Sequence, residues 1–442
     1  MSLKIIFGKN KTGKTKYLES RYPKTNSNNL FIEAEIDLEG ILKGNTGGKG
    51  KNEVISPHKK VFDFLNTKFA KPFKVRISND EDYEKINSFK YNADRFQNKM
   101  KDICDPFFEP SFKNCFNTRG LEQEFEYNFM VLEFLNNNKR TMGSSGSMNY
   151  SLIKLLYEMI SDGQIMPTEE FTLIIDEVEK FLHPELVHKI ANMIIEISEK
   201  LDVIVTTHSP LFLEKIFARH RKKFINESTC NIEYLLFAKY DDHNQESTIV
   251  TLDKDRITET LVENNSRITA WLADFLFSSR CFFIEGLIDN SIINDIISKN
   301  DLENPYTIID CNGKKQINKM LNIVRDLSII RYYRICLFYD SDGDEDTERI
   351  IQIEDEEREY VSSVINKPDL ERALFDIVKK DNVEYIDTNS GAITLKNFKR
   401  EKIDRNSNFI FTLDWIKQNS TKKDIENQIK AIEEQIIKFM TE

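Results

Sequence analysis

Short apolar runs at residues 4–7, 171–175 and 203–207 each precede a segment whose apolar positions return every three or four residues. Runs of this length bounded by loop residues predict buried strands, and the segments at 15–21, 184–201 and from Pro210 onward predict amphipathic helices. Residues 30–36 alternate apolar and acidic positions, which predicts a further strand. Residues 72–77 form another strand candidate and 151–161 a helix. The alternation restarts near residue 280, with strands expected at 281–284, 306–310 and 334–339 and helices at 289–298 and 316–327. Residues 220–275, between the two blocks, hold a strand pair (231–239 and 247–252) and a linking helix. Strands alternating with helices predict an α/β architecture, with domains expected over residues 1–265 and 276–400. Residues 80–140, rich in Phe, Asn and charge, carry no chemical motif and are expected to form a mostly helical insertion in the first domain. Residues 401–442 are expected to be a helical tail. Its Ile425, Ile429, Ile432, Ile436 and Phe439 share one helix face, fit either to cover the tail's own domain or to meet a second copy.

A length of 442 residues suits two or three such domains, each able to bury its own core without disulfides. The six cysteines (Cys104, Cys115, Cys230, Cys281, Cys311 and Cys336) are scattered and form no CxxC pair, so no zinc ribbon or dithiol redox site is indicated. Scattered thiols point to a reducing, cytoplasmic setting. The first residues lack the apolar core of a signal peptide, and no apolar stretch approaches the length of a membrane span, so no membrane association is expected. The net charge is −11, but the first hundred residues carry +8 and the rest −19. This balance argues against coating nucleic acid by charge alone and leaves room for a local basic groove. Much of the acidity falls in residues 340–359, whose distal half reads as a solvated surface.

Candidate chemistry begins directly after the first strand. Gly8-Lys9-Asn10-Lys11-Thr12-Gly13-Lys14-Thr15 satisfies GxxxxGK[ST] between a strand and a helix. Gly8 and Gly13 allow a tight turn, and the loop's N–H groups, Asn10 included, face the phosphates of ATP. Lys14 reaches the β- and γ-phosphates, and Thr15 ligates Mg²⁺. The strand at 171–175 ends in Asp176 and Glu177, suited respectively to holding Mg²⁺ through water and to orienting or deprotonating an attacking water. About thirty residues on, His208 ends another strand and can sense the γ-phosphate.

The second block carries its own carboxylates. Glu285-Gly286 follows the strand at 281–284, and Asp340-Ser341-Asp342 follows the strand at 334–339. Carboxylates at the C-terminal ends of neighbouring parallel strands converge on one crevice. Glu285, Asp340 and Asp342 are hard oxygen donors suited to Mg²⁺ or Mn²⁺, and such ions promote phosphodiester hydrolysis. A calcium loop starting at Asp340 fails, because Glu345 stands where glycine is needed and Ile351 where the bidentate Glu should be.

These motifs resemble known families. The segment from Asp176 to Pro184 is similar to the DEPExxLHP segment of overcoming-lysogenisation-defect (OLD) ATPases, with Val178 in place of the usual proline, and Thr207-His208-Ser209-Pro210 is similar to their THSP segment. Ser144-Ser145-Gly146-Ser147 resembles the signature loop of ABC/SMC-type ATPases; the resemblance implies that Ser145 and Gly146 cap ATP bound to another subunit, hence a homodimer or higher homo-oligomer. Residues 280–375 resemble a Toprim nuclease domain. The resemblance gives Glu285, Asp340 and Asp342 the metal-binding and catalytic roles and makes Glu371 a further metal ligand. It also implies a catalytic lysine, for which Lys314, Lys396 and Lys399 stand equal. The order ATPase then Toprim resembles OLD nucleases, including the Gabija-type subunits of bacterial anti-phage defence. It implies an ATP-regulated, metal-dependent endonuclease acting on DNA or RNA, with room for a partner defence protein. A nucleotide-dependent sensor or scaffold without cleavage, or a RecF-like repair ATPase, is the alternative.

Overall fold

The computed structural model of the chain describes residues 2–24, 26, 28–32, 73–76, 116–119, 124–127, 150, 153, 154, 156–158, 160, 161, 171–180, 182–227, 231–241, 246–341, 351–366, 369–380, 383–388, 391–394 and 412–441. They fall into two compact units, Met1–Val262 and Glu263–Glu442.

The first unit is built on a six-stranded sheet. Its strands are β1 (Leu3–Gly8), β2 (Asn29–Ile32), β6 (Thr172–Ile175), β7 (Asp202–Thr207), β8 (Ile232–Asp241) and β9 (Glu246–Thr251), in the order β2-β6-β7-β1-β8-β9. All pairs are parallel except β8 with β9. The parallel strands are buried almost throughout, as expected of a sheet covered on both faces, which is why they read as unbroken apolar runs. Leu18 of α1 (Lys14–Arg21) joins Ile6, Phe31, Ile174, Ile204 and Phe237 in one core cluster. Helices α2 (Pro184–Ser198) and α3 (Pro210–Glu227) pack against each other. The start of α2 is set locally: Pro184 occupies the first turn, and the His183 side chain accepts the Glu185 N–H at 3.5 Å. Helix α4 (Lys254–Glu263) follows β9.

A second, antiparallel sheet of three strands has the order β3-β5-β4, formed by β3 (Phe73–Arg76), β4 (Phe116–Arg119) and β5 (Glu124–Tyr127). Within 80–140, expected to be a mostly helical insertion, the described residues 116–119 and 124–127 are strands, and the rest of that span lies outside the described residues. Glu124-Phe125-Glu126-Tyr127 alternates with a period of two, and the signal in four residues was outweighed by the helical composition of the surrounding sequence.

The second unit opens with α5 (Ser266–Leu276) and centres on a wholly parallel sheet. Its strands are β10 (Arg280–Ile284), β11 (Tyr306–Asp310), β12 (Arg334–Asp340) and β13 (Val361–Asn366), in the order β11-β10-β12-β13. Helices α6 (Leu287–Lys299) and α7 (Lys314–Asp326) follow β10 and β11, and the short α8 (Leu370–Leu374) follows β13. An antiparallel sheet, β14 (Asp376–Lys380), β15 (Val383–Thr388) and β16 (Gly391–Thr394), comes next. Helices α9 (Leu413–Asn419) and α10 (Ile425–Thr441) close the unit. The five residues expected on one face of the tail are buried in the core of this unit, beside Phe282, Ile292, Ile296 and Cys336; the Phe282 and Phe439 rings meet edge-on at 4.7 Å. Cys281, Cys311 and Cys336 are free, buried thiols, and burial pushes that of Cys336 up to about 12. In the distal acidic block Glu354, Asp355, Glu356 and Glu359 are exposed, as expected of a solvated surface, and Glu357 is the exception. It is buried, and Arg325 grips both its oxygens at 2.6 and 2.5 Å, which holds its carboxyl below the usual range.

Candidate functional site

The phosphate-loop residues of the first unit lie between β1 and α1. Gly8 has φ +142°, and a Cβ there would run into the carbonyl oxygen of Phe237 on β8, so only glycine fits. Gly13 has φ +86° and caps α1 in the left-handed region. Thr12 ties the loop internally through Lys9 O at 2.8 Å, and Ser247 donates to Thr12 O at 2.7 Å. Lys14 is buried, and its ammonium donates to Gly8 O at 2.9 Å and Lys9 O at 2.7 Å. Burial lowers its pKa, opposed by the charges of Glu177, Glu179 and Asp176. Asn10 is exposed in the same loop.

Parallel pairing of β6 and β7 places Asp176 and Glu177 next to Thr206, Thr207 and His208. Asp176 Oδ2 accepts the Thr15 hydroxyl at 3.1 Å, while Oδ1 accepts the Thr206 hydroxyl. Two hard oxygens at that separation fit a shared octahedral Mg²⁺, whose neighbouring ligands stand about 2.9 Å apart. Thr206 in turn accepts the Glu177 N–H at 2.8 Å. Glu177 has φ +49°, an uncommon conformation for a residue with a side chain. Its carboxylate lies 3.3 Å from the Lys180 ammonium and 3.7 Å from His208 Nδ1. Thr206, Glu179 and Lys180 were not singled out in the sequence. Glu179 and Lys180 stand within the acidic motif, but their partners become neighbours only when β6 and β7 pair.

In the second unit Glu285 directly follows β10, and Asp340 ends the adjacent β12. Asp340 Oδ1 accepts Asn366 Nδ2 at 3.2 Å and Leu370 N–H at 3.0 Å. Burial, then the charge of Glu371, push its pKa up to about 6, against those two hydrogen bonds. Glu371 is buried in α8. Asp289, in the first turn of α6, is also buried, and its Oδ2 accepts the N–H groups of Glu285 at 3.1 Å and Gly286 at 2.9 Å. Burial raises its pKa well above the carboxylate range, reinforced by Asp340, Glu285 and Glu371 and opposed by the Gly286 N–H. Four carboxylates therefore share one electrostatic neighbourhood. The sequence marked Glu285, Asp340 and Glu371 for metal; Asp289 was read only as a helix start, and its spacing four residues after Glu285 was the available signal.

Among the described residues no group of three or more His, Cys, Asp or Glu side chains that could hold a metal ion is present. Asp342, the remaining expected ligand, lies outside the described residues, as do Ser145, Gly146, Lys396 and Lys399. Lys314 is buried as the first residue of α7. The donor chemistry still fits a hard divalent cation, since Glu285, Asp289, Asp340 and Glu371 offer only oxygens and repel one another without one. No described helix is long and apolar enough to cross a membrane.

Residues 4–214 match the family model described as "AAA domain, putative AbiEii toxin, Type IV TA system". The matched span contains the phosphate loop, Asp176, Glu177 and His208, and ends before the second unit. No curated protein matches the chain. The family match and the parallel α/β sheet support a P-loop ATPase of the ABC/AAA type in the first unit.

Proposed function

We propose that the protein is an ATP-hydrolysing, metal-dependent endonuclease of the OLD type, with a Toprim-like second unit that cleaves phosphodiester bonds in DNA or RNA, in bacterial anti-phage defence. The observation that carries this reading is the gathering of Glu285, Asp289, Asp340 and Glu371 around the ends of adjacent parallel strands. Charge is concentrated there in a buried setting, an arrangement rarely kept for stability alone. In the ATPase unit, Lys14 meets the phosphates, Thr15 and Asp176 hold Mg²⁺, Glu177 orients the attacking water, and His208 contacts the terminal phosphate. In the second unit Glu285, Asp340 and Asp342 are the principal metal-holding groups with Glu371 in support, while Asp289 holds the turn after β10 through two N–H groups. Bound there, a divalent ion supplies Lewis-acid stabilisation of charge on the phosphate. Assembly as a homodimer through the ATPase units, with Ser145 and Gly146 facing the partner's ATP, belongs to the same reading.

Plasmid DNA and tRNA incubated with Mg²⁺ or Mn²⁺, with and without ATP, test it. Cleavage is expected, and Glu285→Ala or Asp340→Ala should reduce it by orders of magnitude while ATP turnover persists. Cleavage untouched by both changes refutes the metal-site assignment. The raised pKa values of Asp289 and Asp340, which keep carboxylates partly neutral, also suit a second reading, a nucleotide-dependent sensor or scaffold that does not cut. No cleavage of either polymer by the unaltered protein selects it.

A further inference from the structure

The segments following β6 and β7 are stitched together residue by residue. Thr206 holds Asp176 through its hydroxyl and the Glu177 N–H through its oxygen, and the Val178 N–H reaches Thr206 O at 3.4 Å. Glu179 makes the next link. It is 9% exposed, and its Oε1 accepts the His208 main-chain N–H at 2.8 Å. The same oxygen lies 3.4 Å from His208 Nδ1. Glu179 Oε2 and His208 Nδ1 are both buried and lack a hydrogen-bond partner among the described residues. Two orphaned polar atoms in neighbouring side chains are costly, and each can satisfy the other after a small ring or carboxylate rotation. Burial raises the Glu179 pKa, while its contacts with His208 and Thr207 oppose that shift.

We propose that Glu179 is a positioning residue for ATP hydrolysis: it grips His208 by its main-chain N–H and by ring Nδ1, so that Nε2 is the nitrogen presented to the terminal phosphate. This rests on the ATPase reading of the first unit and adds a residue to it. The role differs from that of Glu177, whose Oε1 is 3.7 Å from Nδ1 and whose other oxygen faces Lys180. A carboxylate accepting Nδ1–H fixes which ring nitrogen carries the proton and which way the ring turns. It also makes the histidine segment and the Asp176–Glu177 turn move as one piece. A merely structural Glu179 would need only an oxygen for the main-chain N–H, and that difference can be measured.

Glu179→Gln retains an oxygen for the His208 N–H and loses the charge, whereas Glu179→Asp keeps the charge on a shorter arm. Steady-state ATP turnover should show kcat reduced about tenfold or more in Glu179→Gln, with KM for ATP and thermal midpoint near those of the unaltered protein. Glu179→Asp should recover part of the loss. Adding Glu179→Gln to His208→Ala should lower kcat no further than His208→Ala alone, because the carboxylate then has no ring to hold. Full kcat in Glu179→Gln, or losses that multiply in the double variant, overturns the proposal. If Glu179→Gln melts early, the same comparison is made from Glu179→Asp. Lys14→Ala separates the two readings. If it loses turnover while Glu179→Gln keeps it, only the positioning role falls; if it keeps full turnover, the ATPase reading itself falls.

Discussion

Lowering the pH from 7 to 4.5 should weaken the first unit through His220, which is 0% exposed in α3. Its Nδ1 lies 3.0 Å from the Tyr234 hydroxyl and its Nε2 3.3 Å from Thr258 Oγ1. Thr258 spends its own hydroxyl proton on Lys254 O at 2.7 Å, so it accepts from Nε2–H, and Nδ1 accepts from Tyr234. The neutral ring is thus satisfied at both nitrogens. Burial, with a smaller push from the Lys254 charge, lowers the pKa from 6.5 to about 4. The unfolded chain therefore takes up the proton first. Stability from this residue is complete above pH 6.5 and declines as pH falls toward 4. At 1.36 kcal/mol per pH unit, the full decline between 6.5 and about 4 is about 3–4 kcal/mol, or about three-hundredfold in the folding equilibrium. Hydrogen exchange of β1 and β8 amides, read by mass spectrometry and corrected for intrinsic rates, follows it directly. His220→Gln removes the titration and keeps hydrogen-bonding capacity. Protection in the unaltered protein should fall with acidification more steeply than in His220→Gln, and parallel pH profiles for the two proteins would refute the reasoning.

Lys14→Ala should abolish ATP binding and turnover, measured by calorimetry and phosphate release, since it removes the buried charge at the phosphate loop. Glu177→Gln should still bind ATP yet hydrolyse it about a hundredfold or more slowly; normal turnover would remove Glu177 from the chemistry. Gly8→Ala forces a side chain into φ +142° and against the Phe237 carbonyl, so the first unit should lose about 2 kcal/mol or more and bind ATP less tightly. Unchanged melting and affinity would contradict the close approach of β1 and β8.

The phosphate loop, the Asp176-Glu177 pair, His208, Glu285 and Asp340 were legible in the sequence because each is a local event: an apolar strand, then a loop residue of distinctive chemistry. The strands flanking them were legible for a related reason, since burial on both faces of a parallel sheet writes itself as an unbroken apolar run. The strands at 116–119 and 124–127 were not, because four residues carry too little periodicity, and β5 finds its second neighbour, β3, only across a long stretch of chain. Thr206, Glu179 and Asp289 are ordinary residues in sequence. Thr206 holds Asp176 only because β6 and β7 adjoin, and Asp289 belongs with Asp340 only because β10 and β12 do. Glu357 likewise looked solvated until Arg325, thirty-two residues away, was found holding it. Patterning determines which segments become strands and helices and which side chains sit at their ends. Which of those ends meet is decided by strand order, and with it the burial and the neighbouring charge that set each group's chemistry.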